Sequence, residues 1–410
     1  MSSATARLLA VAREVTAEGS DPDHLVRIVA WSLRRGHQPD GLRRHVRDLR
    51  DGATPLLAQG DASEPTAAEA IARVAGDPRP SETDGVTEVL GVWRSAQVRV
   101  ALVGDPGYPH RLAEGWPDVD APGWLAVRGE PAVDAPMVAL VGARRATGYG
   151  SGVAAWLAEA AADAGVRVVS GGAVGIDAAA HGAALGRPGG TTVVLGCGHT
   201  VAYPRPHAKP GGLFDRIVED GGAIVSESLP TAPPRAHRIR ARNRIVAALA
   251  EVVVVVEGGA TSGSLLTATA ALERDRTVLA VPGDVRAPGS TAPHRLLAEG
   301  AAPCTSPRDL LEVVGRSPTD PEASRSSQAA VPSSLPREVH HELAASWPRA
   351  LRLEDLATRT GHPVGVLLAS LTRAKVAGEV ADGADGIRLR RAPAGAIVEG
   401  ARNRDDGAVT

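Results

Sequence analysis

Five consecutive valines, Val252–Val256, constrain this chain more than any other stretch. The run is β-branched, uninterrupted and about as long as a strand, which suits a strand buried on both faces of a parallel sheet. It stops in Glu257-Gly258-Gly259-Ala260-Thr261-Ser262-Gly263, and a helical pattern starts immediately afterwards. A strand, a glycine loop and a helix N-terminus together offer an anion several unpaired backbone N–H groups. Just upstream, RAHRIRARNR (235–244) carries five arginines and one histidine in ten residues, and no acid lies between Glu227 and Glu251. That gap predicts an electropositive surface around Arg238, Arg240, Arg242, Asn243 and Arg244. A dense arginine segment beside an anion-ready loop implies a phosphate-rich ligand.

The valine run is one of a series. From about 96 to 315, strand-like runs alternate with alanine-rich helical patterns: VRVALVG (98–104), MVALVG (137–142), VRVVSGG (166–172), TTVVLGCG (191–198), AIVSE (223–227), the valines and TVLAVPG (277–283). This predicts an α/β domain with an extended Rossmann-like, doubly wound, mainly parallel sheet. Nearly every strand ends in glycine or a small polar residue, including Gly142, Gly171, Gly172, Gly196, Ser226, Gly258 and Gly283. In such sheets the ligand crevice lies outside those ends, so several loops converge on one site. Before residue 96 the chain reads as helical (LLAVAREV, HLVRIVAWSLRR, LRRHVRDLR, AAEAIARVA), with Pro78, Pro80 and Ser81 loosening it before the next unit. A solvated helical face accounts for the arginines there. Residues 316–334 are rich in Ser, Pro and Ala and read as a linker. Residues 335–391 show three short amphipathic helices and a hairpin, which suggest a winged helix, with Gly361 available for a turn. The expected organisation is therefore a helical N-terminal domain (1–95), a Rossmann-like domain (96–315), the linker, the winged-helix domain and a tail (392–410).

Composition narrows the function classes. The net charge of −2 announces no nucleic-acid binder, so such a role must come from local clusters. Only Lys209 and Lys375 are lysines, a bias that coding in a GC-rich genome explains as well as phosphate recognition does. With aromatics at 2%, any base stacking relies on very few side chains. Cys197 and Cys304 lack a CxxC partner and read as buried small side chains. The N-terminus has no signal-peptide core, and no run approaches the roughly 20 apolar residues of a membrane span. The expectation is a cytoplasmic protein without membrane insertion.

Two further loops carry candidates. VGARRATGYG places Gly142, Arg144, Arg145 and Thr147 after a buried-type strand, where glycine permits close backbone approach and an arginine offers a planar fork to phosphate. Ordinary surface arginines are the other reading. Gly171, Gly172 and Gly175 open the next loop, but their spacing departs from the dinucleotide fingerprint and no acid follows at the required distance. Asp177 and His181, four apart on one helix, are either an acid–base pair or, more simply, a first-turn cap and a helix-surface contact. Glu257 at its strand end reads more simply as a hydrogen-bond acceptor than as a catalyst. There is no nucleophile–base set, metal-ligand cluster or P-loop, and no cofactor is expected.

In order, YPHRL, MVALVGARRATGYG, VVSGGAVGIDAAAHGAAL, VLGCG, VAYP, VSE, ARNRIVAALAEVVVVVEGGATSGSLLTA, AVPG and RLLAEGA resemble the DNA-processing protein A (DprA/Smf) family over about 108–302. The resemblance implies a non-enzymatic protein that binds single-stranded DNA, protects incoming strands and loads the RecA recombinase in natural transformation, usually as a homodimer. By motif, Arg144 would grip phosphate, Gly171, Gly172 and Gly175 would admit the strand to backbone N–H groups, and Arg242, Asn243 and Arg244 would line the basic pocket. Ile239-Arg240 stands where the family often has Phe-Pro, so a stacking aromatic is missing, and Ala292-Pro293-His294 replaces a Gly-x-Asn. The N-terminal part lacks the helix-hairpin-helix glycines. Two alternatives stand beside this reading. One is a nucleotide-processing hydrolase of the same fold superfamily, for which Leu265 occupies the position of the catalytic Glu. The other is a winged-helix transcription regulator.

Overall fold

The valines fold into the strand that the rest of the sheet surrounds. In the computed structural model, which describes residues 3–34, 72, 75–114, 121–317, 335–346, 349–376, 380–383 and 386–389, the chain runs α1 (Ser3–Val15), α2 (Pro22–Arg34), α3 (Thr83–Ser95), β1 (Arg99–Leu102), α4 (His110–Ala113), β2 (Trp124–Gly129), β3 (Met137–Val141), α5 (Gly148–Asp163), β4 (Arg167–Gly171), α6 (Ile176–Ala184) and β5 (Thr191–Val194). It continues through α7 (Arg205–Ala208), α8 (Leu213–Glu219), β6 (Ala223–Ser226), α9 (Ala236–Leu249), β7 (Val252–Val255), α10 (Gly263–Leu272), β8 (Thr277–Ala280), α11 (Thr291–Ala298), β9 (Ala302–Pro303) and α12 (Pro307–Val313). The last elements are α13 (Arg337–Ser346), α14 (Leu353–Thr360), α15 (Val364–Val376), β10 (Val380–Gly383) and β11 (Gly386–Leu389).

Nine strands form one sheet in the order β1-β2-β6-β5-β4-β3-β7-β8-β9. From β6 to β9 every pairing is parallel, while β2 runs antiparallel to both β1 and β6. The sheet is therefore mixed at one edge and parallel through its centre. Both faces are covered, and successive residues show it: Val193 and Ile224 belong to one apolar cluster, Val194 and Val225 to another. All four residues of β7 are fully buried, each valine contributing about 1.5 kcal/mol of transfer free energy. The chain winds outward from β3 in both directions, through β4, β5 and β6 on one side and β7, β8 and β9 on the other. The reversal between β3 and β7 is the place where a doubly wound sheet opens its crevice.

The described N-terminal helices do not bury a core of their own. Leu8, Leu25, Ile28, Leu90 and Trp93 join one continuous cluster with Leu102, Leu125 and Val253 of the sheet. Thr16 also bridges to Val100 at the start of the sheet edge. A break at 95 thus separates helices from strands without separating two cores. Helix α3 occupies the stretch after Pro80 that the prolines were expected to loosen. Pro80 instead opens a short 3-10 turn leading into the helix, a position where its missing N–H costs nothing. Arg34 pairs with Glu82 at 2.7 Å. The helical patterns at 42–50 and most of 67–75, like 318–334 and the tail 392–410, lie outside the described residues.

By contact density the chain divides into residues 1–146 with 157–318, and residues 147–156 with 319–410. The second unit contains α13, α14, α15 and the antiparallel hairpin β10–β11 around its own core of Val339, Leu343, Leu356, Leu367, Ala374 and Val380. Gly361 adopts a left-handed conformation at the end of α14, where it caps the helix. Three helices and a hairpin are the elements expected there. No described helix is long and apolar enough to cross a membrane.

Candidate functional site

At the switch point the loops after β3, β4 and β7 meet the first turns of α9 and enclose a cavity of about 610 Å³. Gly142, Ala143 and Arg144 come from the first loop, Gly171, Ala173 and Asp177 from the second, and Thr261, Ser262 and Gly263 from the third. Helix α9 supplies the fourth wall. Ala236, Ile239, Arg240, Asn243 and Val246 recur three or four apart, so they form one stripe along it, with Arg242 at its border. Three glycine-ended strands and one arginine-rich helix thus build the site.

Arg242 is the central cation. Its guanidinium lies over Gly171, where a Cβ would stand 2.5 Å from both terminal nitrogens, so any side chain there would have to displace it. One terminal nitrogen donates to the Val194 carbonyl at the end of β5. Its Nε is buried without a partner, and among the described residues no carboxylate lies within ion-pair distance of the guanidinium. Burial pushes its pKa below the ordinary arginine value, with Asp177 the largest opposing influence. A buried cation with an unused donor is suited to an incoming anion. Arg144 and Arg240 are exposed and make no hydrogen bond or ion pair among the described residues. Asn243 donates from Nδ2 to the Gly263 carbonyl at 3.1 Å and ties the helix wall to the third loop. Ser262 caps α10 by accepting the Ser264 N–H.

Among the described lining residues Asp177 is the one acid. Burial raises its carboxyl to about 6, opposed by Arg242, the Ala173 N–H, the Ser170 hydroxyl and Arg144. It accepts the Ala173 N–H at 3.2 Å, which ties the loop ahead of α6 back onto the first turn of that helix. His181, one turn on, faces away to the Thr191 hydroxyl at 2.7 Å, and burial holds it neutral with a pKa of about 3. The two side chains share a helix without forming an acid–base pair.

The remaining expected residues have other places. Gly172 lines a smaller recess of about 130 Å³ beside the cavity, shared with Arg144, Ile239 and Arg242. Gly175, at φ 85°, lets the β4 loop press against the backbone of Arg144, and the Ile176 N–H donates to the Ala143 carbonyl at 3.2 Å. It shapes the site without lining it. Arg145 is exposed outside the lining, and Thr147 accepts the Gly150 N–H at 3.0 Å as it opens α5. Arg238 donates to the Pro233 carbonyl at 2.9 Å.

Arg244, expected in the basic pocket, has another place. Its fork grips both oxygens of buried Glu227, at 2.8 and 2.6 Å, so it anchors α9 to the end of β6 and is not among the residues lining this cavity. Of the two acids that bound the gap, only Glu227 turns back into it; Glu251 pairs with Arg111, outside it, at 2.8 Å.

Tyr203, Leu266 and Thr267 also line the cavity, and sequence reasoning did not single them out. Tyr203 lay within the quoted VAYP stretch, but nothing local placed that loop beside α9. Leu265 packs half-buried against the core, so no carboxylate occupies the position a hydrolase would need. Cys197 and Cys304 are buried free thiols, raised by burial to about 11 and 12. Among the described residues no group of three or more His, Cys, Asp or Glu is placed to hold a metal.

The comparisons with known proteins agree with this architecture. The family model described as DNA recombination-mediator protein A matches residues 99–315. Protein Smf of Escherichia coli (strain K12) is 39% identical over 291 residues, covering 70% of this chain and 76% of that protein. The DNA processing protein DprA of Bacillus subtilis (strain 168) is 33% identical over 226 residues, 55% of this chain and 74% of that one. The X-ray structure of DNA processing protein A from Streptococcus pneumoniae is similar with a TM-score of 0.50 and 29% identity, covering 66% of this chain and 92% of that chain. The family match takes in the whole sheet and every loop of the cavity, and the chain belongs to the DNA recombination-mediator protein A (DprA/Smf) family.

Proposed function

We propose that this protein binds single-stranded DNA without enzymatic turnover, protects incoming strands and loads the RecA recombinase during natural transformation. One observation carries the DNA-binding part: at the switch point, among the described residues, Arg144 and Arg240 are unpaired and Arg242 is buried without an ion pair. Three cations facing a single carboxylate leave net positive charge for phosphates, and the helix stripe supplies apolar surface for the bases between them. Phosphate contacts carry no base information, so binding is largely independent of sequence. Recombinase loading and homodimer formation belong to this reading through family membership, and in it the C-terminal unit serves as a winged helix.

The test is fluorescence anisotropy of a labelled oligonucleotide, single-stranded against duplex, across a salt series. Tight single-strand binding with a steep salt dependence is expected. Arg144→Ala weakens it by about tenfold and reduces the salt slope by roughly one, with an unchanged unfolding temperature because the side chain is exposed. A duplex preference would overturn the reading in favour of a transcription regulator.

A further inference from the structure

The cavity has an aromatic wall that phosphate contacts leave unused. The chain holds ten aromatic residues: six Trp, three Tyr and one Phe. Trp116 and Trp347 lie outside the described residues. Trp31, Trp93, Tyr108, Trp124 and Phe214 are buried in the core, and Trp156 is half-buried. Tyr149 and Tyr203 remain, each 36% exposed, and of the two only Tyr203 lines the cavity.

Tyr203 comes from the loop between β5 and α7, far in sequence from the arginine segment. It borders both the 610 Å³ cavity and the 130 Å³ recess, as do Arg144, Ile239 and Arg242. Its hydroxyl makes no hydrogen bond among the described residues, so the ring is not held there by a polar anchor. A nucleotide pairs an anion with a flat, largely apolar ring. A site that sets two arginines beside one exposed aromatic matches both halves at once, because every base presents a π-face to an aromatic side chain. In a duplex those faces are already stacked on their neighbours.

We propose that Tyr203 is the stacking platform for a nucleobase of the bound strand, with the adjoining phosphate held by Arg144 and Arg242. This rests on the single-strand reading above and adds a base contact from a loop outside the arginine segment. It also fills the place of the aromatic that Ile239 does not supply.

The experiment measures anisotropy of the full chain with a labelled oligothymidylate and with an abasic deoxyribose-phosphate oligomer of equal length. The variants are Tyr203→Leu and Tyr203→Phe. Tyr203→Leu should weaken oligothymidylate binding about 5- to 100-fold at an unchanged salt slope. The loss should be confined to the base-bearing strand, and Tyr203→Phe should restore it. Equal losses on both oligomers would make Tyr203 a structural residue and overturn the proposal, as would no loss on oligothymidylate. If the wild-type chain binds neither oligomer, the single-strand reading itself falls before any variant is compared.

Discussion

The two ends of the central sheet treat the same residue type in opposite ways. At the N-terminal ends of the parallel strands, arginines are consumed by the fold. Arg167 donates to the carbonyls of Glu130, Thr191 and Gly221 and to the Thr192 hydroxyl. Arg128 pairs with Asp215, Arg111 with Glu251, Arg276 with Glu114, and Arg187 with both Glu159 and Asp163. At the C-terminal ends Arg244 is spent on Glu227, but among the described residues Arg144 and Arg240 make no hydrogen bond or ion pair, and Arg242 donates to the Val194 carbonyl with Asp177 nearby. A chain with net charge −2 therefore builds a cationic cavity by setting three arginines, Arg144, Arg240 and Arg242, against one acid, Asp177, among its described lining residues. The lesson is that local pairing, and not bulk charge, decides where an anion can bind.

If this division is real, an arginine removed from the closed edge should cost stability alone. Arg167→Ala leaves several buried carbonyls without donors and is expected to destabilise by about 3 kcal/mol in urea unfolding. Single-strand affinity of the folded protein should stay within twofold. A matching loss of affinity would blur the two edges.

At the open edge, Gly171→Ala puts a methyl 2.5 Å from the Arg242 guanidinium. Overpacking of this kind costs roughly 1–3 kcal/mol, and here it also moves the phosphate ligand. Anisotropy should show weaker binding, and the double variant with Arg242→Ala should bind no worse than Arg242→Ala alone, since both changes act on one group. Additive losses would separate the glycine from the arginine.

The smallest effect concerns pH. Asp177, near 6 and facing Arg242 and Arg144, is ionised at neutral pH and opposes a phosphate on those cations. Bound anion favours the protonated carboxyl, so binding takes up a proton there. Affinity should rise several-fold as pH falls from 7.5 through 6, a change of about 1 kcal/mol. Asp177→Asn should flatten that slope. A slope that survives the substitution would move the proton to another group.

Much of the sheet was legible because its strands announce themselves. Val252–Val256, MVALVG and TTVVLGCG are β-branched runs stopped by small residues, and each became a strand. The segment WLAVRG also became one, but its antiparallel direction depends on pairing with β6, which no local pattern encodes. Strand β9 is only two residues long, Ala302–Pro303, and offers no period to read. Helix α3 was hidden by Pro80 ahead of it and by Gly85 and Gly91 within it, weak helix formers whose cost the packed Trp93 and Leu90 offset.

The site was legible to the level of loops and not of side chains. Arg242 and Arg244 look alike in the sequence, yet about 100° per residue turns them to different sides of α9, one to the cavity and one to Glu227. Tyr203 joined the site through tertiary folding alone.

The fit of Arg242 over Gly171 also has a consequence for how such a site is inherited. A position without a side chain and a position with the bulkiest cation occupy one shared volume, so neither can drift independently. A descendant that gains a side chain at 171 should therefore show a displaced or replaced side chain at 242, whereas a change at Arg145, which is outside the lining, carries no such coupling.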